Sequence, residues 1–174
     1  LDLGSADGAL VRSCQEAGLE AQGLDISDGV NFEHDPFPVE DESVDVVTAL
    51  ALIEHLYSPA NLLRESLRVL KPGGWLILVS PNWRFAVERF YDDPTHVHPY
   101  TEVSIRKVLR GYGFTNLSIV PWLVKKSVWL WDLPNTFFVA RWLIPFRGDA
   151  PAWIPAFLKG QSGSLLAVGQ RPKE

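Results

Sequence analysis

A single cysteine, Cys14, stands without a partner, so no disulfide framework can form, and a reducing cytoplasmic setting is the natural expectation. No apolar run approaches the roughly eighteen residues that mark a bilayer-spanning helix. Basic charge is also scarce: 16 Lys and Arg face 21 Asp and Glu, for a net charge of -5, and no basic block interrupts the chain. That balance argues against a nucleic-acid backbone as the main partner. The opening residues carry no secretory pattern. Leu1 rather than Met stands first and already reads as strand, so the chain is expected to lack part of its natural N-terminus. Its 174 residues suit one domain, 1–174, with a sizeable core. No repeat or low-complexity tract divides it.

The first thirty residues carry the densest signal. Leu1 to Leu3 read as a buried strand, Gly4 to Gly8 as a tight turn and Ala9 to Ala17 as a helix stopped by Gly18. A helix that starts after a glycine-rich turn presents unpaired backbone N–H groups, and small residues admit a ligand to the main chain. Ala21, Gly23, Leu24, Asp25 and Ile26 read as a second strand ending in a carboxylate. In a doubly wound sheet such a carboxylate can accept hydrogen bonds from both hydroxyls of a ribose, which points to a nucleoside-containing cofactor. The dinucleotide fingerprint G-x-G-x-x-G, laid on Gly4, meets Ala6 and Ala9, which speaks against NAD.

Further along, only a short turn and a strand over Val30 to Glu33 fit before Asp35, too little for a full crossover helix. Val44 to Leu50 reads as a central parallel strand. Ser58 and Pro59 open a helix whose buried face is Leu62, Leu63, Ser66, Leu67 and Leu70, and Lys71 to Gly74 form a tight turn before a strand over Trp75 to Val79. Thr101 caps a helix over Glu102 to Arg110, with Phe114 to Val120 as the next strand. A last strand, Leu165 to Gln170, is expected to run antiparallel to it. Between them, Pro121 to Gly160 reads as an insertion rich in Trp and Pro, with Trp122, Trp129, Trp131, Trp142 and Trp153.

Asp2-x-Gly4-x-Ala6-x-Gly8 resembles motif I, D/E-x-G-x-G-x-G, of the class I S-adenosylmethionine-dependent methyltransferases, with one departure at Ala6. The segment Asp35, Pro36, Phe37, then Val44 to Val47, then Glu54, His55, Leu56 resembles the same family, as does RVLKPGGWLIL. The resemblance implies a Rossmann-like, doubly wound α/β fold with a mostly parallel seven-stranded sheet and an antiparallel last strand. It implies S-adenosylmethionine as cofactor and S-adenosylhomocysteine as product. By the same resemblance, Asp2, Gly4, Ser5, Ala6 and Gly8 cradle the methionine end, Asp25 beside Ile26 holds the ribose, Asp35 and Pro36 lie at the adenine, and the main chain at Ala49 and Leu50 receives the ammonium. The phrase from His96 to Thr101, H-x-x-P-Y-T, resembles a bacterial branch linked to polysaccharide, lipid or quinone modification. A small or lipid-linked acceptor, methylated at oxygen, is therefore expected.

Methyl transfer from a sulfonium is an in-line displacement in which the protein aligns the partners and excludes water, while an acceptor hydroxyl can call for a base. His96 and His55 are the catalytic candidates, with His98 beside them. His55 follows the central strand on the cofactor side, and a plain turn role fits it equally well. His96 and His98 alternate on extended backbone and, with Asp92 and Asp93, form a cluster of metal-binding types, although a solvated loop is the favoured reading and no metal is expected. The Trp-rich insertion reads as a lid over the acceptor, as a peripheral membrane contact aided by Lys125, Lys126, Arg141 and Arg147, or as a local core or homodimer contact. Two rival functions stand beside the methyltransferase: an NAD-dependent oxidoreductase, and a methyltransferase-like scaffold that has lost turnover.

Overall fold

Six strands align in the order β2-β1-β3-β4-β8-β5 in a computed structural model that describes residues 1–122, 146–147, 159–161 and 163–173. They are β1 (Asp2–Leu3), β2 (Gly23–Leu24), β3 (Val44–Leu50), β4 (Leu70–Pro81), β5 (Thr115–Pro121) and β8 (Ser164–Gln170). A separate two-stranded pair joins β6 (Phe146–Arg147) to β7 (Lys159–Gln161). The helices are α1 (Ala9–Glu16), α2 (Ala60–Val69), α3 (Trp83–Ala86) and α4 (Glu102–Gly111). β1 to β4 are parallel, and β8 runs antiparallel between β4 and β5. The chain places β2 on one side of β1 and β3 on the other, so the strand order reverses at β1. In open α/β sheets the crevice at the carboxyl ends of strands beside such a reversal is where ligands bind.

Alternation along β4 shows how the sheet is covered. Leu76 and Leu78 are fully buried, as are Val47 and Ala49 of β3, Leu62 and Leu63 of α2, Ile105 and Leu109 of α4, and Leu165 and Ala167 of β8. Each fully buried leucine of this set contributes about 1.5–3 kcal/mol relative to exposure. The opposite face is thinner: Val46 and Trp75, paired across β3 and β4, are each 37% exposed. Among the described residues no helix is long and apolar enough to cross a membrane.

The sheet has six strands, not the seven expected. The shortfall lies at Val30 to Glu33, which forms a turn. There the Asp35 carboxylate accepts from the Asn31 N–H (2.8 Å), the Asn31 side chain accepts from the Glu33 N–H (2.9 Å), and the Asn61 amide donates to the carbonyls of Phe32 and Asp35. Local side-chain bonds of this kind compete with a strand ladder, and here they satisfy the backbone first. Phe32 is buried edge-on against Phe37 instead of lying in a strand. The second strand is also shorter than expected, because Asp25 leaves it to cap a 3-10 turn over Ile26–Asp28. Lys71 to Gly74 lies within β4 as an irregularity in its pairing with β3 rather than before the strand.

The helix starting after Pro59, the Thr101 cap (its hydroxyl accepts from the Ser104 N–H) and the antiparallel β5–β8 pairing match the sequence reading. Most of the Trp-rich insertion, including Trp129, Trp131, Trp142 and Trp153, lies outside the described residues.

Candidate functional site

The turn after β1 has a repeating backbone requirement. Gly4 (φ 70°), Ala6 (φ 47°) and Gly8 (φ 72°) are all left-handed, which explains why glycine suits alternate positions there. Ala6 holds the same geometry with a methyl group, at a cost of about 1–2 kcal/mol for an L-residue. The turn is tied to β2: the N–H groups of Gly4 and Ser5 donate to the Leu24 carbonyl at 2.8 and 3.2 Å, and the Ala6 N–H donates to Asp25 Oδ2 at 3.0 Å. β2 approaches so closely that a Cβ on Gly23 would lie 2.5 Å from Ser5 Oγ. Beyond Gly8, the first turn of α1 leaves N–H groups that no intrahelical carbonyl can meet.

Asp25 sits where the sequence places it, at the carboxyl end of β2 and partly exposed. Its Oδ1 accepts from the Ser27 N–H at 3.1 Å. These amide bonds, from Ser27 first and then Ala6, hold its carboxyl below the usual carboxylate range, so it is an anion at neutral pH. Each oxygen keeps a lone pair for a further donor. Ile26 beside it is 71% exposed. Asp2, by contrast, turns into the sheet: it is buried, and its Oδ1 accepts from the Thr48 hydroxyl at 2.7 Å. Burial raises its pKa. Its structural part is to join β1 to β3. Asp35 lies at the Asn31 turn with one oxygen engaged there, and Pro36 is exposed. Ala49 is fully buried beside Leu3 and Leu78, while Leu50 ends β3 at the same sheet edge as the glycine turn.

The next group builds on the exit from β3. Ile53–His55 forms a 3-10 turn, and the Glu54 carbonyl accepts from the N–H groups of Val97 and His98 at 2.9 and 3.0 Å. That clasp brings His96 to His55, with ring centroids 4.7 Å apart. His96 Nδ1 donates to the Phe90 carbonyl at 2.6 Å. His55 Nδ1 donates to the Thr95 carbonyl (3.2 Å) and hydroxyl (2.9 Å), while that hydroxyl donates to Asp93 Oδ1 at 2.6 Å. A carbonyl can only accept, so both Nδ1 atoms carry a proton, and in the neutral ring the lone pair falls on Nε2.

Glu54 is fully buried beside them, and burial pushes its carboxyl pKa up. His98 stacks on Tyr100 (5.1 Å, 17°) away from this group. Of the candidate cluster of His96 and His98 with Asp92 and Asp93, His96 keeps Asp93 Oδ2 at 3.8 Å and also meets His55 and Glu54, while His98 stacks on Tyr100. Glu54 was visible in the sequence only as part of the E-H-L phrase. A lone acid in the apolar run Leu52 to Leu56 was the signal that could have singled it out.

A cavity of about 440 Å³ opens at the opposite, amino end of β4, lined by Arg64, Leu67, Arg68, Pro72, Arg171 and Lys173 among others. Two of its guanidinium groups are already paired, Arg68 with Glu65 and Asp41 and Arg171 with Glu42, and it lies away from the glycine turn.

Residues 1–119 match the family model described as a methyltransferase domain. The chain is similar to the ubiquinone biosynthesis O-methyltransferase of Bordetella pertussis, 30% identical over 101 residues that make up 47% of this chain and 42% of that protein. It thus spans less than half the length of this relative. In fold it is similar to an S-adenosylmethionine-dependent methyltransferase from Mesorhizobium loti, with a TM-score of 0.66 at 14% identity over 98% of this chain and 89% of that one. It is likewise similar to one from Archaeoglobus fulgidus, with a TM-score of 0.64 at 20% identity over 97% and 84%.

Proposed function

Since the chain belongs to the methyltransferase-domain family across residues 1–119, we propose that it transfers a methyl group from S-adenosylmethionine to an oxygen of a small or lipid-linked acceptor in the cytoplasm. The observation that carries this reading is the clamp between Asp25 and the left-handed turn Gly4–Ala6–Gly8 at the strand reversal. The anionic Asp25 accepts from the ribose hydroxyls, and the start of α1 offers N–H groups to the carboxylate of the methionine end. S-adenosylmethionine, when bound, supplies a methyl carbon already activated by its sulfonium.

The acceptor oxygen approaches from the side of His55 and His96. Bound S-adenosylmethionine would supply the methyl group for that oxygen, and the hydroxyl proton would pass to an Nε2 lone pair, a role the main-chain anchors of both Nδ1 atoms prepare. Oxygen as the accepting atom is supported by the name of the Bordetella relative. Calorimetry of the chain with S-adenosylhomocysteine, followed by transfer of labelled methyl to a panel of phenols, sugars and lipid-linked hydroxyls, tests the proposal. Saturable binding and label on an oxygen are the expected results. Binding of NAD without S-adenosylhomocysteine would reverse the reading, and product binding without transfer to any acceptor would favour a scaffold.

A further inference from the structure

The carboxyl group of Glu54 poses a problem that the proposed chemistry leaves unsolved. The residue is 0% exposed, and neither carboxylate oxygen has a hydrogen-bond partner. Burying a carboxylate without a partner costs several kcal/mol, so such a group either takes up a proton or meets a compensating positive charge. The hydroxyl of Ser80 lies beside the same carboxyl and is likewise buried. Glu54 thus sits fully buried next to two imidazoles. One ligand atom from each of Glu54, His55 and His96 can be chosen so that all three lie within 4.8 Å of one another.

We propose that Glu54, His55 and His96 bind a divalent transition-metal cation of the zinc class. The ligand set argues for the class: two neutral imidazoles and one carboxylate suit zinc, cobalt or nickel, whereas magnesium and calcium prefer oxygen alone. The imidazoles are prepared for it. Metal-bound histidines ordinarily donate their other ring N–H to a carbonyl or carboxylate, and here Nδ1 of His96 is held by the Phe90 carbonyl and Nδ1 of His55 by Thr95. Thr95 is fixed in turn by Asp93 through its hydroxyl and its N–H, at 2.6 and 2.9 Å. Each Nε2 lone pair is left for the cation.

The spacing is open by a modest margin. Ligand atoms around a tetrahedral zinc lie roughly 3.4 Å apart, which follows from metal–nitrogen distances near 2.1 Å. The three ligand atoms lie within 4.8 Å of one another, so cation binding draws the side chains together. The cation offsets the Glu54 charge and leaves a fourth position open. Asp93 Oδ2 lies 3.8 Å from His96 Nε2. With the cation bound, the two imidazoles serve as ligands rather than proton acceptors, and that consequence alone rests on the function proposed above.

The test uses the full chain, stripped with a chelator and titrated with Co2+ as a spectroscopic probe. One Co2+ per chain, with visible bands of low-symmetry nitrogen and oxygen coordination that Zn2+ abolishes by displacement, is the expected result. Glu54→Gln and His96→Asn should each weaken Co2+ binding at least tenfold, and His34→Asn, at an exposed turn, should leave it unchanged. In case either variant fails to fold, ring-nitrogen NMR of the unaltered chain gives an independent reading: Zn2+ should shift Nε2 of His55 and His96 and leave His98 in place. No Co2+ bound by the unaltered chain, binding retained in both variants, or a shift confined to His98 would each overturn the site. None of these measurements involves S-adenosylhomocysteine, so their failure is separate from failure of the methyltransferase reading.

Discussion

Replacing Asp25 by Ala removes the anion on which the proposed ribose grip depends. In the folded chain each carboxylate oxygen already takes one amide, Ala6 N–H at 3.0 Å and Ser27 N–H at 3.1 Å, and keeps one lone pair directed outward. Two hydroxyl donors therefore lose two charge-assisted partners. At the lower end of the range for such bonds, because the group is partly exposed, the loss is about 2–3 kcal/mol, or roughly 30- to 150-fold in Kd for S-adenosylhomocysteine. Asp25→Asn keeps one acceptor oxygen and loses the charge, so it should fall between the two, near tenfold.

The lost amide partners also loosen the turn, but water replaces them at this exposed edge. The stability change should therefore stay near 1 kcal/mol. Titration calorimetry on each variant, with thermal unfolding alongside, separates affinity from folding. An Ala variant that unfolds like the parent and binds S-adenosylhomocysteine within threefold of it would refute the ribose role.

Four further outcomes follow from the same geometry. Ala6→Gly relieves the left-handed alanine (φ 47°) and should raise stability by up to about 1 kcal/mol after the added chain entropy of glycine, seen as a rise in Tm of a few degrees. Gly23→Ala sets a Cβ 2.6 Å from Ser5 Cβ, so the turn must shift and calorimetry should show weaker cofactor binding. Gly74→Ala instead meets the carbonyl oxygens of Lys71 and Asp45 at 2.9 and 3.0 Å, and should cost about 1–3 kcal/mol in denaturant unfolding with cofactor affinity unchanged. Glu65 is held below its ordinary 4.5 chiefly by Arg68, so its folded pKa is depressed: its contribution is present above 4.5 and is lost as pH falls through the folded value. Tm of the parent should drop more steeply below pH 4.5 than that of Glu65→Gln.

The parts legible in the sequence are those whose cause is local. Left-handed positions at Gly4 and Gly8, the carboxylate that ends a strand at Asp25, the β-branched run of β3, the amphipathic face of α2 and the Thr101 cap each act over a few residues. Asp2 has a part that the residue pattern does not show, since Thr48, brought alongside by β3, donates to its carboxylate. Val30 to Glu33 also looked like a strand, because its apolar residues alternate, and only the bonds from Asn31, Asp35 and Asn61 divert it. The imidazole pair was out of reach. His55 and His96 lie far apart in sequence, and what joins them is a main-chain clasp on Glu54 that leaves no mark on residue type.

One rung of the sheet fixes how freely the Trp-rich region can vary. β5 ends and β8 begins as direct neighbours, and the Trp122 N–H reaches the Ser164 carbonyl at 2.9 Å. The chain between those two residues leaves and rejoins the sheet at one place, so a change in its length adds a loop-closure term of about 0.6 kcal/mol for each doubling. Exchanging that segment between chains is expected to leave Asp25 and the turn Gly4–Ala6–Gly8, at the other end of the strand order, as they stand.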